Sequence, residues 1–518
     1  MARYSSISLL FDKWFKFLDG DPDEEFMRAI FEPGGGLRIV NDDVVVPASF
    51  VPNYASVLDC EDFIHQDIMS ELQKGFIARV AERPYKVNAL GAVRKSEGKY
   101  RRITDLSRPK GGALNEFIDL VTFQFKTVDD ACEYIMKNPR VFGCKFDIEA
   151  AYRHVPIWPG HWHYLGFEWQ GAYYIDLRLC FGLASAPYVF WRISNVIVRV
   201  GYKFFGVAFV LPYIDDFLVL STGTSTEEAQ INARADYLNF RRCMTMLGWP
   251  IAEHKVVEPC QDVTFLGIRI NMRDRVISLP EDKLSDLLRI LEEFNGLQLC
   301  TKRELERLIG KLNFGAKVIR GGRTFLRRMI ILANSVPERH HKVVLDDEFR
   351  ADVDWWFRFA HSWNGKAVML DPDPIDNRRF VVDASNAAVC AVFDQHFIIR
   401  PHDPVTASWH INDKECLAVF LAALKWAPEW SNKRVVVSSD NQTTVSAINK
   451  GTSSSPSIMR MLRALFWLSA KHNFHLIAVH IPGRLNTLAD AGSRLNFDFL
   501  LDEGLSMQPC PMFDVECL

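Results

Sequence analysis

The stretch LPYIDDFLVL, residues 211–220, places two adjacent carboxylates, Asp215 and Asp216, between apolar flanks that have the pattern of a buried hairpin. Aspartate is common in surface turns, so a lone pair between hydrophobic runs most often marks a turn. Carboxylates that cannot be solvated must instead bind a cation or shift their pKa values. This second interpretation, a metal site, requires a third carboxylate from elsewhere in the chain.

A third carboxylate is found in VFGCKFDIEAAYRHVPI, residues 141–157. The segment CKFDI predicts a short β-strand that ends at Asp147, and the residues after it turn toward helix. A strand that delivers one aspartate and a hairpin that delivers two can meet at adjacent positions of a sheet. Three carboxylates there can hold two Mg²⁺ ions about 3.5 to 4 Å apart, with Mn²⁺ as an alternative, to activate a 3′-hydroxyl and stabilise a leaving pyrophosphate.

Length and composition indicate several globular domains. The chain has 518 residues and a net charge of −3, and a domain takes roughly 150 residues. No apolar run reaches the roughly 18 residues of a membrane span, and the N-terminal stretch lacks the apolar core of a signal peptide. We therefore expect a soluble, intracellular protein without membrane contact, in either the cytoplasm or the nucleus. The cysteines show neither C-x-x-C pairs nor zinc-ligand spacing, which predicts reduced thiols.

Basic residues are concentrated in two segments, although the net charge is slightly negative. The first is VRKSEGKYRRITDLSRPK, residues 93–110, and the second is TKRELERLIGKLNFGAKVIRGGRTFLRRM, residues 301–329. A charge run is often only a solvated face. Local basic stripes nevertheless matter more to phosphate binding than the charge of the whole chain does, so both segments are candidate nucleic-acid contacts.

The ordered motifs of this chain resemble those of reverse transcriptases, and the resemblance covers most of its length. The first three palm motifs are similar to FDIEAAYRHV, LCFGLASAPYVF and YIDD, and the two motifs that close the palm are similar to LGWPIAEHK and TFLGIRI. The fingers segment over the incoming nucleotide is similar to KSEGKYRRITDLS. The second motif has Cys180 where the usual form has proline. SRPKGGALNEFI, LIGKLNFGAKVIRGGRTFLRRMI and DVDWWFRFAHSWNG are similar to stretches of the DIRS-like retroelements.

The resemblance implies roles for individual residues of the polymerase part. The metal-binding carboxylates are expected to be Asp147, Asp215 and Asp216, and Lys255 corresponds to a lysine proposed to donate a proton to pyrophosphate. The expected nucleotide contacts are Arg94, Lys95, Arg101, the backbone of Ile148, Tyr152, Phe181 and Gly182. Among these, Arg101 would grip the triphosphate, and the Tyr152 ring would clash with a ribose 2′-hydroxyl. A core aromatic and a surface lysine remain the alternatives for Tyr152 and Lys255.

The segment after the palm has helical periodicity. In residues 281–297 and 302–319, apolar residues recur at spacings of three and four with basic residues between them. This pattern suits a thumb whose basic face follows the duplex backbone without reading sequence. The expected nucleic-acid contacts are Lys311, Arg323, Arg327 and Arg328. The spacing of four places Arg323 and Arg327 on one helix face, with Arg328 alongside.

A second set of acids follows the proline-rich stretch DPDPIDNRR, residues 371–379, which predicts a linker or domain edge. The pattern predicts a strand, Asp383 and another strand, then an amphipathic helix with Glu415 near its start, then a strand ending at Asp440 and a helix. His480 and Asp490 follow. This order resembles ribonuclease H.

By the same resemblance, Asp383, Glu415, Asp440 and Asp490 would hold two Mg²⁺ ions, and His480 would assist water entry or product release. The expected reaction is attack of metal-activated water on an RNA phosphodiester in an RNA–DNA hybrid. Contacts to the 2′-hydroxyl and the shape of the hybrid would provide specificity.

The implied fold class is α+β, a right-hand polymerase of fingers, palm and thumb followed by an RNase H-like α/β domain. The expected boundaries are 1–60 for an N-terminal extension, 61–280 for fingers and palm, 281–345 for the thumb, 346–376 for a connection or linker, 377–495 for the RNase H-like domain and 496–518 for a C-terminal tail. No protease motif, zinc knuckle or integrase-like His/Cys array is found in the sequence. We therefore expect a polymerase with RNase H, and any coat or recombinase functions on other chains.

The expected activity is RNA- and DNA-directed DNA synthesis with RNase H cleavage, which copies retroelement RNA into DNA and degrades RNA in the hybrid. The expected partners are RNA and DNA template-primer, RNA–DNA hybrid and dNTPs, with other proteins of the same retroelement as further candidates. Two alternatives are a polymerase with a purely structural RNase H-like domain and a domesticated nucleic-acid-binding protein. Acids at all seven expected metal positions disfavour the domesticated protein, and the full set Asp383, Glu415, Asp440 and Asp490 disfavours a purely structural RNase H-like domain.

Overall fold

The structure is a computed structural model that describes residues 13, 15–96, 99–319, 322–364, 367–368, 375–431, 433–472 and 474–512, without the side chains of residues 95, 96, 99, 362, 363, 367, 368 and 470. The chain divides into two compact units. The first comprises Met1–Leu266 and Ile270–Asp274, and the second comprises Gly267–Arg269 and Arg275–Leu518.

The first unit alternates helices and strands. Its α-helices are Glu24–Phe31, Glu61–Lys74, Val128–Lys137, Ala186–Phe205 and Thr226–Met246. Its 3-10 helices are Phe15–Phe17, Ala55–Cys60, Leu114–Phe117, Ala151–His154, Pro159–Tyr164 and Glu253–Lys255. Local capping explains two of the helix starts. The Ser225 hydroxyl accepts a hydrogen bond from the Glu228 backbone N–H, and Thr127 and Asp130 form a reciprocal capping box.

One sheet of the first unit has the order Ser49–Phe50, Lys86–Ser96, Gly166–Trp169, Ala172–Asp176 and Ile77–Val80, with Lys99–Asp105 also paired to Lys86–Ser96. A second sheet, here named the carboxylate sheet, has the order Val257–Cys260, Phe142–Asp147, Asp216–Ser221 and Val210–Tyr213. The predicted strand ending at Asp147 and the predicted hairpin around Asp215 are both confirmed. Strands Asp262–Phe265 and Ile268–Asn271 follow in the chain.

Part of the expected N-terminal extension belongs to the main core of the first unit. Leu18, Met27 and Phe31 are at most 1% exposed and lie in the same hydrophobic cluster as Phe146 and Phe217 of the carboxylate sheet. Ion pairs reinforce this packing, since Arg199 Nη2 lies 2.7 Å from both Asp21 Oδ1 and Asp23 Oδ2. The segment from residue 15 onward therefore packs into the core of this unit.

The second unit contains the two helices predicted for the thumb and an α/β region. Its α-helices are Glu281–Asn295, Lys302–Gly315, Arg327–Asn334, Asp347–Trp363, Pro404–Ala407, Ile411–Trp426, Gln442–Lys450, Pro456–His472, Thr487–Ser493 and Phe497–Asp502. Its 3-10 helices are Gly322–Leu326, Ala427–Trp430 and Gly483–Leu485. Short strands are Val276–Ser278, paired with Ala367–Val368, and Leu299–Thr301, paired with Lys342–Val344. Within the described residues, no helix combines the length and apolar character needed to cross a lipid bilayer.

A mixed sheet, here named the C-terminal sheet, organises the rest of the second unit. Its order is Ile375–Asp376, Arg434–Ser439, Phe380–Ala384, Ala388–Phe393, His396–Pro401 and Ser506–Met507, with His475–His480 also paired to Arg434–Ser439. Alternate residues of Ala388–Phe393 enter two different hydrophobic clusters, Val389 in one and Cys390 in the other. The sheet is therefore buried on both faces, as an α/β layer arrangement requires.

The prediction that the helix Ile411–Trp426 is amphipathic is wrong. Its residues from Lys414 to Ala423 are all buried, because the helix packs against strands of the C-terminal sheet and also against Pro456–His472. A helix covered on several sides is apolar around most of its circumference. The Glu415 carboxylate consequently lies in the interior.

The expected linker at 346–376 contains a long helix. Asp346 caps the N-terminus of the helix Asp347–Trp363, because its carboxylate accepts a 2.7 Å hydrogen bond from the Phe349 backbone N–H. The helix packs against Glu281–Asn295. Of the proline-rich stretch, residues 371–374 lie outside the described residues. The domain boundaries themselves remain predictions.

Two candidate catalytic sites

Backbone pairing brings the three aspartates of the first unit to one end of the carboxylate sheet. Asp147, the last residue of its strand, is the register partner of Asp216 across an antiparallel pair. Asp215 lies in the hairpin turn before Asp216, and its carbonyl accepts a 3.0 Å hydrogen bond from the Ile148 backbone N–H. The turn places Ile214 at a positive φ of 54°. The sequence prediction that these acids share one sheet edge agrees with this geometry.

Two lysines compensate part of the charge of these three acids. Lys255 Nζ donates to both oxygens of Asp147 at 2.8 and 3.0 Å, and Lys145 Nζ lies 3.1 Å from Asp216 Oδ1. Burial raises the pKa of Asp216 to about 6 even though Lys145 opposes that shift. Burial and then the Asp147 charge raise the pKa of Asp215. Buried acids whose pKa values rise are sites where an added cation is favourable.

Lys255 is therefore in contact with an expected metal ligand. Burial lowers its pKa, but the hydrogen bond and charge of Asp147 outweigh burial, so the net pKa shift is upward and the ammonium stays protonated. A proton donor must be protonated, and Lys255 meets that requirement. Its ammonium group, however, is hydrogen-bonded to the Asp147 carboxylate. In the described part of the chain, Asp147, Asp215 and Asp216 do not form a set whose ligand atoms all lie within 4.8 Å of one another.

Three of the expected nucleotide contacts meet beside these acids. The Arg101 guanidinium lies 4.8 Å from the centre of the Phe181 ring, and the rings of Tyr152 and Phe181 are 5.2 Å apart. Burial, followed by the nearby charge of Asp215, raises the pKa of Tyr152. Tyr152 thus lies close enough to both Asp215 and Arg101 to interact with their charges. Arg94 is exposed, and the side chain of Lys95 lies outside the described residues.

The glycine of the second motif is required by close backbone contact. Gly182 has a φ of 120°, and a Cβ there would collide with the carbonyl oxygen of Thr104. Asn115 fixes this loop, since its Nδ2 donates 2.9 Å to the Gly182 carbonyl and its Oδ1 accepts 2.9 Å from the Ala184 N–H. The sequence reasoning missed Asn115. Its only sequence signal was an amide within the quoted stretch SRPKGGALNEFI.

A second acidic cluster forms at the edge of the C-terminal sheet. Asp383, Glu415 and Asp440 each offer a carboxylate oxygen, and these oxygens all lie within 4.8 Å of one another. Asp383 is in Phe380–Ala384, and Asp440 directly follows Arg434–Ser439, a parallel neighbour. Parallel strands place their carboxyl ends at one edge of a sheet. Glu415, in the first turns of the buried helix, completes the cluster.

The electrostatics of this cluster fit a hard divalent cation. Burial and then the neighbouring acids raise the pKa of Glu415 to about 9 and contribute to raising that of Asp383 to about 6. Glu415 Oε2 is buried without a hydrogen-bond partner. An all-carboxylate set suits Mg²⁺ or Mn²⁺. Unpaired buried acids cost free energy unless they are protonated or bind a cation.

Asp490 and His480 lie next to this cluster without joining it. Asp490 Oδ1 accepts a 2.8 Å hydrogen bond from Arg494 Nε and lies 2.8 Å from Arg494 Nη2, and the Asp490 side chain is 44% exposed. The charge of Asp490 still contributes to the raised pKa of Asp383. His480 Nε2 donates a 3.1 Å hydrogen bond to the Asp440 backbone carbonyl. Sequence reasoning missed Arg494, which lies four residues after Asp490.

The thumb arginines do not share one helix face. Arg323 is in the 3-10 helix Gly322–Leu326, whereas the α-helix begins only at Arg327, so the spacing-of-four argument was wrong. Arg328 pairs with Glu348 at 2.9 Å and with Asp352 at 3.5 Å. Lys311 pairs with Asp286 at 2.8 Å. Arg323 is exposed and has no ion pair among the described residues. Contact of these residues with nucleic acid remains a prediction.

Residues 373–470 match the family described as an RNase H-like domain found in reverse transcriptase. That span includes Asp383, Glu415 and Asp440 and ends before His480 and Asp490.

Among curated proteins, the chain is 21% identical over 453 residues to the Transposon Tf2-3 polyprotein of Schizosaccharomyces pombe, which covers 83% of this chain and 30% of that protein. It is 23% identical over 333 residues to the enzymatic polyprotein of Carnation etched ring virus, which covers 62% of this chain and 46% of that protein. The chain thus spans less than half the length of these relatives.

Among solved structures, a foamy viral protease–reverse transcriptase in complex with double-stranded DNA matches with a TM-score of 0.52 and 15% identity, covering 86% of this chain and 73% of that chain. The foamy viral protease–reverse transcriptase in complex with RNA/DNA hybrid matches with a TM-score of 0.51 and 14% identity, covering 91% and 60%. The expected fold class is thereby confirmed: the chain is similar in fold to the foamy viral protease–reverse transcriptase and contains an RNase H-like domain.

Proposed function

We propose that this chain is an RNA- and DNA-directed DNA polymerase with RNase H activity, which copies retroelement RNA into DNA and degrades the RNA of the hybrid. The observation that carries the proposal is the presence of two separate carboxylate centres, one in each compact unit, each built at the end of sheet strands. The similarity to foamy viral protein bound to double-stranded DNA and to RNA/DNA hybrid supports the same partners here.

In the first unit, Asp147, Asp215 and Asp216 would hold two Mg²⁺ ions. When bound, such ions supply charge stabilisation for the attacking 3′-oxygen and for the leaving pyrophosphate. The chain itself supplies the positioning. Arg101, stacked on Phe181, presents a guanidinium for the triphosphate of a dNTP, and the Tyr152 ring limits the space for a 2′-hydroxyl.

In the second unit, Asp383, Glu415 and Asp440 would hold Mg²⁺ or Mn²⁺, with Asp490 as an additional ligand. A bound cation supplies an activated water for hydrolysis of an RNA phosphodiester. His480 is tied to the Asp440 backbone, so it is placed beside the metal ligands without being one. Gly483 lies close above the same acid, since a Cβ there would be 2.9 Å from Asp440 Oδ2.

The main alternative is a polymerase whose RNase H-like domain is only structural. The buried cluster disfavours it, because three acids with an unpartnered Glu415 oxygen destabilise a scaffold that binds no cation. A domesticated nucleic-acid-binding protein is disfavoured by the same observation. The motifs quoted above further favour an element of the DIRS-like group, with other retroelement proteins as partners.

Two assays on the intact chain test the proposal. Primer extension on matched RNA and DNA templates with Mg²⁺ should give full-length DNA, and EDTA should abolish it. A labelled RNA annealed to DNA should be cut in Mg²⁺ without nucleotides, while the same RNA alone stays whole. Absence of extension on both templates in Mg²⁺ and Mn²⁺ refutes the polymerase, and an uncut hybrid refutes the nuclease.

A further inference from the structure

A buried ion-pair network lies directly beneath the nucleotide-contact candidates of the first unit. Arg102 Nε lies 2.7 Å from Asp67 Oδ2, and Arg102 Nη2 contacts Glu71. Arg153 Nη2 lies 2.9 Å from Glu71 Oε2 and 2.6 Å from Asp176 Oδ1. The side chains of Arg102 and Arg153 are only 8% and 7% exposed. Charged groups this deeply buried must be paired, so their geometry is tightly set.

The acids of this network differ in which arginine they hold. Asp67 pairs with Arg102, and Asp176 pairs with Arg153. Glu71 pairs with both arginines, and both contacts involve the same oxygen, Oε2. Glu71 therefore links the strand Lys99–Asp105 to the 3-10 helix Ala151–His154, which are far apart in sequence.

Each buried arginine directly follows a residue that we assign to the nucleotide. Arg101 precedes Arg102 on a strand, where successive side chains point to opposite faces, so holding Arg102 inside directs Arg101 outward over Phe181. Tyr152 precedes Arg153, which also donates 3.2 Å to the Leu179 carbonyl. Holding Arg153 fixes the turn that presents the Tyr152 ring to Phe181 at 5.2 Å.

A cavity of about 200 Å³ shows that the network reaches the surface used by these residues. Its lining includes the network residues Arg102, Arg153 and Glu71 and also Arg101 and Phe181. The buried ion pairs and the exposed residues Arg101 and Phe181 thus line the same cavity. A shift of the ion pairs therefore changes the surface that Arg101 and Phe181 form.

We propose that Glu71 is a positioning residue that couples Arg101 to Tyr152, with Asp67 supporting only the Arg101 half and Asp176 only the Tyr152 half. The inference rests on the proposed polymerase function. It extends that function by assigning two properties, triphosphate binding and sugar selection, to two separable branches of one network joined at Glu71.

Three isosteric variants separate the branches. Asp67→Asn should raise the KM for dNTPs with little change in the ratio of dNTP to rNTP incorporation, because only the Arg101 side loosens. Asp176→Asn should lower that ratio with a smaller change in KM, because only the Tyr152 side loosens. Glu71→Gln should do both. We expect changes of roughly tenfold, below the roughly 100-fold loss that a 1 Å misplacement causes.

The measurement is single-nucleotide incorporation on one template-primer with dNTP and rNTP, giving kcat and KM for each. Hybrid cleavage by the same preparations serves as an internal control for the amount of protein, because its acids lie in the other unit, and the unfolding midpoint of each variant checks its folding. Should Glu71→Gln fold poorly, Asp67→Asn against Asp176→Asn still tests the separation of branches.

The inference is supported when Asp67→Asn changes mainly the KM for dNTPs and Asp176→Asn changes mainly the ratio of dNTP to rNTP incorporation. Equal loss of kcat in every variant, with KM and sugar ratio unchanged, overturns it while leaving the polymerase assignment intact. Failure of the unmodified chain to extend any primer is a different result, since it refutes the proposed function itself.

Discussion

Asp147 and Asp216 face each other across two antiparallel strands, and a different lysine holds each carboxylate. Lys255 comes from the segment after the sheet, whereas Lys145 lies two residues before Asp147 on the same strand. Backbone pairing and these ion pairs keep the acids together without a cation. Exchange of a carboxylate for an amide at this edge should therefore remove metal affinity while leaving the fold in place.

Asp215→Asn should abolish DNA synthesis, by at least about 100-fold, and leave hybrid cleavage nearly unchanged. Asp215 is half-buried in a turn, so the amide is tolerated, while the lost charge removes a proposed metal ligand. Both activities should be measured on one preparation, with primer extension beside cleavage of labelled RNA in a hybrid. Comparable loss of both in a folded variant contradicts the assignment of two independent centres.

Tyr152→Ala should admit ribonucleotides. The ring is packed between Phe181 and Phe190 at 5.2 and 5.7 Å, so its removal opens space where a 2′-hydroxyl would lie. The ratio of rNTP to dNTP incorporation should rise more than binding weakens. Tyr152→Phe is the matched control, because it keeps the ring and should keep the selectivity. A flat ratio in the alanine variant makes Tyr152 a core residue.

Asp440→Asn should eliminate cleavage of RNA in a hybrid while extension on an RNA template continues. His480→Ala should only slow cleavage, roughly tenfold, because His480 binds the Asp440 backbone and not the acidic cluster. The assay is release of labelled fragments in Mg²⁺ without nucleotides. Full activity of Asp440→Asn rules out the cluster as the nuclease centre.

Glu415→Gln should stabilise the cation-free chain at alkaline pH. The Glu415 carboxyl has a pKa raised from 4.5 to about 9, so the native state retains a proton that the unfolded state releases, and wild-type stability falls between these pH values. Gln cannot ionise and avoids that loss. We expect the free energy of unfolding to rise by about 2 kcal/mol, within the range seen on replacing buried ionic groups. Such a rise increases the unfolding midpoint by roughly 4–8 °C.

Thermal unfolding in EDTA at pH 5 and pH 8 measures this effect, with the variant gaining at pH 8 and little at pH 5. Addition of Mg²⁺ at pH 8 should raise the wild-type midpoint more than that of the variant, because only the native cluster binds the ion. An equal response of both proteins to Mg²⁺ argues against a cation site at Glu415.

Arg323→Gln should weaken template-primer binding at every sequence and reduce the log–log salt slope by about one unit, since one phosphate contact on B-form DNA contributes about 0.9. Arg328→Gln should change the slope little, because Glu348 and Asp352 already compensate its charge. It should instead lower stability, since Asp352 is 2% exposed. Equal slopes for wild type and Arg323→Gln indicate that Arg323 does not contact a phosphate.

The sequence by itself was sufficient to place the acids on their secondary-structure elements. The strand ending at Asp147, the hairpin at Asp215 and the strand–helix–strand order around Asp383, Glu415 and Asp440 all follow from local periodicity, which depends on residues only a few positions apart. Neighbouring positions at one sheet edge then follow for the acids at strand ends, Asp147, Asp383 and Asp440, because strand ends gather at sheet edges.

Only the tertiary structure decided which charged side chains form ion pairs with each other. Lys255 is 108 residues from the Asp147 carboxylate that it binds, and Arg153 is 82 residues from Glu71, so no local pattern indicates either pair. The same limit explains the wrong predictions for the Glu415 helix and for the shared helix face of the thumb arginines. Burial and charge compensation arise from contacts between distant segments, and these exist only once the chain has folded.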